Sequence, residues 1–116
     1  MTIASKFRLK GGANVERVKR LGKVLQSKNF GVVYLKNQEK SFSRFAFVVS
    51  TKISKLAVHR NRVDRAMTEA VRMDMPKIPV GYDYVFLAKK TVANKTTEEI
   101  MREVTDFIPT LKEVIK

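Results

Sequence analysis

The sequence predicts an α+β domain in which helices pack on a small sheet. Three observations carry this. Runs rich in aromatic and β-branched residues at 30–35, 44–50 and 82–89 have strand character. Segments at about 14–22, 59–73 and from 97 onward place apolar residues at helical spacing. The two kinds of run follow one another as α-β-β-α-β-α within 116 residues, a length that suits one domain spanning 1–116.

Each element has a local reason. Residues 1–12 form a basic arm carrying Lys6, Arg8 and Lys10 and ending in Gly11-Gly12, which reads as hinge material. Asn14 is positioned to cap a helix over about 14–22, with Val15, Val18 and Leu21 on one face and Gly22 as its stop. Phe30 to Leu35 is the first strand, 37–41 a polar turn, and Arg44 to Ser50 the second strand, so the two read as an antiparallel hairpin. A basic connector over 51–58 leads into a helix over about 59–73. Val63, Ala66, Met67, Ala70 and Val71 share one side of that helix, opposite Arg62, Arg65, Glu69 and Arg72. Prolines at 76 and 79 make 75–81 a loop. Tyr82 to Lys89 is almost continuously apolar, as expected of a central strand buried on both faces. Thr96 and Glu99 form a capping box for a last helix with Ile100, Val104, Phe107 and Ile108 inward. Pro109 is expected to kink or break it, leaving a short helix over about 110–115.

Composition narrows the function. The absence of cysteine excludes disulfides and thiolate metal sites, and a single histidine leaves little scope for zinc or a histidine-based triad. No apolar run approaches a membrane span, and the first residues lack a signal-peptide core, so a soluble, cytoplasmic chain is expected. The net charge is +13 and unevenly placed. Residues 1–72 hold seventeen Lys/Arg against four Asp/Glu, whereas 73–116 hold seven of each. A one-sided excess suits a nucleic-acid partner better than a membrane, because no helix pairs a basic face with a bulky aromatic one.

The sharpest motif is Arg60-Asn61-Arg62 with Arg65, which follows Lys52 and Lys55 and sits in the first two turns of a helix. Cations there oppose the macrodipole, so their presence points to a polyanion. Planar guanidinium forks suit phosphate oxygens, and Asn61 can donate to an RNA backbone. The bland alternative is a solvated face on which Arg62 and Arg65 pair with Glu69. His59 reads as a cap or surface residue. Asp64 and Glu69, five apart, do not read as a metal pair. Lys89-Lys90 is either a solvated strand end or part of the basic surface. Phe45, Phe47 and Tyr84 could stack on bases but belong more naturally to the core. No nucleophile–base pair is present, so catalysis would have to come from a partner.

Taken together, Arg8-Leu9-Lys10, Gly22, Phe30, Val49-Ser50-Thr51-Lys52, Ala57-Val58-His59-Arg60-Asn61-Arg62-Val63 and Asp83-Tyr84 leading to Ala88-Lys89-Lys90 resemble the bacterial ribonuclease P protein subunit over nearly the whole length. The resemblance implies an α+β sandwich of the ribosomal protein S5 domain 2-like kind, with a left-handed β-α-β crossover. It implies a partner RNA that, with Mg²⁺, removes the 5′ leader of precursor tRNA. The protein would act as a monomer within the ribonucleoprotein, aiding leader and metal-ion binding, with no metal ligand assignable to its own residues. Arg8, Lys10, Lys52, Lys55, Arg60, Asn61, Arg62 and Arg65 match the family's RNA-contacting surface, and Lys89 and Lys90 are added to it. Val15, Lys19 and Val33 stand where the family has aromatic rings. Asp64 and Thr68 stand where it has lysine and arginine. These five positions belong to its leader-binding cleft, so leader discrimination is expected to be weaker here. The rival reading is a structural or chaperone RNA-binding protein with the same fold; a self-sufficient nuclease is disfavoured.

Overall fold

A computed structural model of the chain describes residues 3–38 and 41–115. Glu39 and Lys40 of the expected polar turn, and Met1 and Thr2 of the arm, lie outside the described residues. Three helices, α1 (Gly12–Leu21), α2 (Ala57–Asp74) and α3 (Thr97–Val114), pack on four strands, β1 (Lys23–Gln26), β2 (Phe30–Lys36), β3 (Arg44–Val48) and β4 (Tyr82–Ala88).

The strand order is β1-β2-β4-β3. The expected hairpin between 30–35 and 44–50 does not form. β2 pairs antiparallel with β1 on one side and with β4 on the other, while β3 pairs in parallel with β4. The strand most apolar in sequence has inserted between the two predicted partners, where both its faces are covered. The true hairpin joins β1 to β2 through 27–29. β3, α2 and β4 form a β-α-β crossover.

Alternation along the strands divides the core in two. Phe30, Val32, Phe45, Tyr84 and Phe86 face α2 and α3 and build the larger core with Val63, Met67, Ile100, Val104 and Leu111. Val33 and Val85 face the other way and meet Val18 of α1, with Leu9 beside them. Phe45 stacks on Tyr84 with ring centres 5.2 Å apart, and Phe47 meets Phe86 at the same distance. The strand aromatics are therefore core.

Several local expectations need correction. Gly11, not Asn14, caps α1, with φ at +89°, while Asn14 Nδ2 donates to the Lys10 carbonyl. Gly22 does end α1, but with φ at −79°. It is needed for closeness: a Cβ there would lie 2.6 Å from the Tyr34 carbonyl oxygen and 2.7 Å from that of Val18. The arm is docked rather than free. Ile3 and Leu9 are buried, Ser5–Phe7 forms a 3₁₀ turn, and Leu9 N–H donates to the Phe45 carbonyl along the outer edge of β3. The expected loop at 75–81 opens with a 3₁₀ turn, Met75–Lys77. Pro109 neither breaks nor ends α3, which runs through it to Val114 because Phe107, Ile108, Leu111 and Ile115 are anchored in the core on both sides. The Thr96–Glu99 capping box is present in both directions.

Candidate nucleic-acid interface

Parallel pairing puts the C-terminal ends of β3 and β4 at the same end of the sheet. The 49–56 connector and the start of α2 follow β3 there, and Lys89 and Lys90 follow β4. One end of the molecule thus gathers the basic residues of two segments far apart in sequence. Lys52, Lys55, His59, Asn61, Arg65 and Lys90 are exposed, and Arg60 and Arg62 half-buried.

The start of α2 is built unlike that of α3. Leu56 stands at the N-cap with no side-chain cap, and no acid lies in the first turn. α3 has its capping box and Glu98 and Glu99 in the first turn. The Glu99 carboxyl is held below the usual carboxylate range by its hydrogen bonds at Thr96. The positive end of one helix dipole is therefore neutralised and that of the other is left open and reinforced with arginine.

The arginines divide the work. Arg60 donates to the Ser54 carbonyl at 2.8 Å and pins the connector. Arg62 donates to the Lys95 carbonyl at 2.8 Å and ties α2 to the approach to α3, so it is not the freely solvated side chain expected of an outer helix face. Arg65 has no partner among the described residues. The alternative pairing of Arg62 and Arg65 with Glu69 does not occur. Arg72 takes that carboxylate in two hydrogen bonds of 3.0 and 2.6 Å, which lower the Glu69 pKa. His59 Nδ1 lies 3.4 Å from the Ser54 hydroxyl, a local surface contact.

Arg8 and Lys10 are exposed on the docked arm beside β3. Lys89 is half-buried: its ammonium donates to the Ser27 carbonyl at 2.6 Å and lies near Glu103. Its neighbour Lys90 opens a 3₁₀ turn, Lys90–Asn94.

The five positions expected to form the leader cleft fall into two groups. Val15, Lys19 and Val33 belong to the α1 side of the sheet, where Val33 is buried, Val15 half-buried and Lys19 exposed with Glu16 at 3.4 Å. Asp64 and Thr68 sit on α2, which packs on the opposite face. Thr68 is buried and donates to Asp64 at 3.0 Å, so a closed neutral–acid pair stands there. Sequence reasoning quotes Asp83 only within the family resemblance and gives no role to it, to Arg17 or to Arg44. Asp83 is fully buried on the α1 side and accepts a two-pronged contact from Arg44 at 2.9 and 3.0 Å, with Arg17 at 3.4 Å and Asn37 Nδ2 at 3.0 Å. The available signal was a lone acid inside an apolar strand. Among the described residues there is no group of three His, Cys, Asp or Glu that could hold a metal ion.

Comparison with known proteins gives a consistent result. The family model for Ribonuclease P matches residues 3–112. The chain is 35% identical over 92 residues to the ribonuclease P protein component of Pelotomaculum thermopropionicum, covering 79% of this chain and 80% of that one. It is 36% identical over 104 residues to that of Clostridium kluyveri, covering 88% and 91%. The fold superposes on the Staphylococcus aureus RNase P protein with a TM-score of 0.82 over 95% of this chain and 98% of that one, at 24% identity. For the Thermotoga maritima RNase P protein the TM-score is 0.79, at 25% identity over 89% and 96%. The open basic helix start, the parallel β3–α2–β4 crossover and these matches agree: the chain belongs to the ribonuclease P protein family, a subunit family of the enzyme that processes tRNA.

Proposed function

We propose that this protein is the non-catalytic, RNA-binding subunit of the ribonuclease P ribonucleoprotein. In this reading the exposed connector and first turns of α2 bind the catalytic RNA, and the α1 side of the sheet receives the precursor-tRNA 5′ leader. The observation that carries it is the uncapped, arginine-bearing start of α2. An 18-residue helix with no acid and no side-chain cap at its positive end forgoes stabilisation that α3, in the same chain, obtains. An anionic ligand supplies what the sequence withholds. Lys52, Lys55, Arg60, Asn61, Arg62 and Arg65 form this surface, with Lys90 beside them and Arg8 and Lys10 along the β3 edge. Lys89 belongs to it through its position, although its ammonium braces the β1–β2 turn. Mg²⁺ binds in this reading among RNA phosphates or at the RNA–protein interface, where it supplies the charge neutralisation and activated water of hydrolysis. The protein acts in the cytoplasm as one copy per ribonucleoprotein.

The leader side is aliphatic. Val15 and Val33 offer no ring on which a base can stack, and stacking is worth about 1–3 kcal/mol per base. Leader discrimination is therefore weak, while RNA-subunit binding is retained. The same feature favours the second reading, a structural RNA-binding protein. The deciding experiment is precursor-tRNA cleavage by a bacterial-type catalytic RNA at low Mg²⁺, with and without the protein. Stimulation, with no cleavage by protein alone, is expected. Tight RNA binding without stimulation would favour the second reading.

A further inference from the structure

A groove of about 710 Å³ runs between the first turns of α2 and the start of α3. It arises from helical spacing: Asn61, Arg62, Arg65 and Ala66 line it from α2, and Thr97 and Met101, four apart, line it from α3. Its size lies within the range of small-ligand pockets. Two features give it a chemistry. The floor is apolar: Met101 is partly exposed, and Ala66 is buried beside it. The rim is cationic, because Arg65 is unpartnered among the described residues while the one acid on the rim, Glu69, is already held by Arg72.

We infer that this groove receives one unpaired nucleotide of the RNA bound by α2, its base against Met101 and its phosphate at Arg65 and the free edge of Arg62. The inference rests on the RNA-binding reading of α2 and goes further, since that reading needs only phosphate contacts on an open surface. A flat base fits the features present. A methionine thioether makes favourable contact with aromatic rings. An arginine plane stacks on bases, and that of Arg62 is already fixed by the Lys95 carbonyl, so little freedom is lost on stacking. The Asn61 amide and the Thr97 hydroxyl have no partner among the described residues and stand at the rim, where a base edge would meet them. A polypeptide would match both features only if it set an acidic side chain beside an apolar one, whereas every nucleotide carries a flat base and a phosphate together.

The test compares binding of the full-length protein to a single-stranded oligoribonucleotide and to an RNA duplex of equal phosphate count at fixed salt. The single strand should bind about tenfold more tightly, in line with one stacked base. Thr97→Leu fills the groove with an aliphatic side chain that offers no ring for stacking, Met101→Ala removes its floor, and neither changes a charge. Both should abolish that preference and leave duplex affinity and salt dependence unchanged, with circular dichroism reporting an intact fold. If the preference survives in both folded variants, the base is bound elsewhere, or the groove takes a polypeptide, and the inference is overturned. Arg65→Ala separates this from the underlying reading. If it weakens binding to both RNAs while the groove variants do nothing, α2 is an RNA surface without a nucleotide pocket. If it changes neither, the RNA-binding reading of α2 fails as well.

Discussion

Asp83 is the residue on which the α1 side depends. Its carboxylate is fully buried in β4, between Tyr82 and Tyr84 on a strand otherwise apolar, and is tolerable there because two guanidinium groups and an amide satisfy it. Asp83→Ala should lower stability by about 2–3 kcal/mol, less than a fully buried pair because water reaches the arginines, whose side chains are 32% and 39% exposed. Urea unfolding measures this, and an unchanged midpoint would mean that the network contributes nothing net. Glu103 links pH to stability. Burial alone would raise its pKa, but hydrogen bonds from the Ser27 hydroxyl, the Asn29 N–H and the Asn29 side chain, together with the Lys89 charge, outweigh burial and lower it. A depressed carboxyl pKa stabilises the fold above the ordinary value of 4.5, and that stabilisation is lost as the pH falls through the lower, folded-state value. The Glu103→Gln variant should be less stable at neutral pH, and its unfolding midpoint should fall less steeply on acidification than that of the parent protein.

At the scale of elements, the start of α2 forgoes the cap that α3 has, a loss that the proposed RNA contact would offset. Leu56, at the N-cap, is 57% exposed, so Leu56→Asp loses little burial and gains a cap. It should stabilise the protein by about 1 kcal/mol and at the same time weaken RNA binding. Thermal unfolding and RNA titration on one sample check both signs; tighter RNA binding would contradict the account of this helix. Pro109 gives the converse case. The core carries α3 through a residue that cannot donate its backbone hydrogen bond, so Pro109→Ala, at an exposed position, should stabilise by about 1–3 kcal/mol. These two elements also mark where the sequence was legible. The apolar faces of α2 and α3 and the capping box could be read because they are local and periodic. So could the central place of β4. Strand pairing could not: β2 and β3 are neighbours in sequence, and only the parallel crossover separates them. β1 escaped because four residues at the sheet edge, largely exposed, leave no strong alternation. The continuity of α3 depends on packing around Pro109 rather than on its own residues. The basic surface was legible as residue types, but the anchoring of Arg60 and Arg62 on carbonyls depends on loop positions that no spacing encodes.

For the molecule as a whole, the charge is segregated. The excess of +13 belongs to the first 72 residues, while β4 and α3 come from a balanced remainder. Binding through about 6–10 phosphates should fall on the order of 10³–10⁵-fold between about 50 and 200 mM salt, by analogy with duplex DNA; a flat salt response would argue against the basic surface. The sheet also separates two cores of unequal weight. On one side α2 and α3 share a broad apolar contact. On the other α1 is held by Val18 with its few neighbours, by the close approach at Gly22 and by the Arg17–Asp83 contact. Local opening free energy follows such differences. The backbone amides of α1 should therefore exchange with deuterated water through sub-global openings, well before those of α3 and β4, which should exchange only when the entire molecule unfolds. A ligand seated against α1 would slow the first class of amides and leave the second untouched, which turns the thinness of this layer into a direct reporter of occupancy.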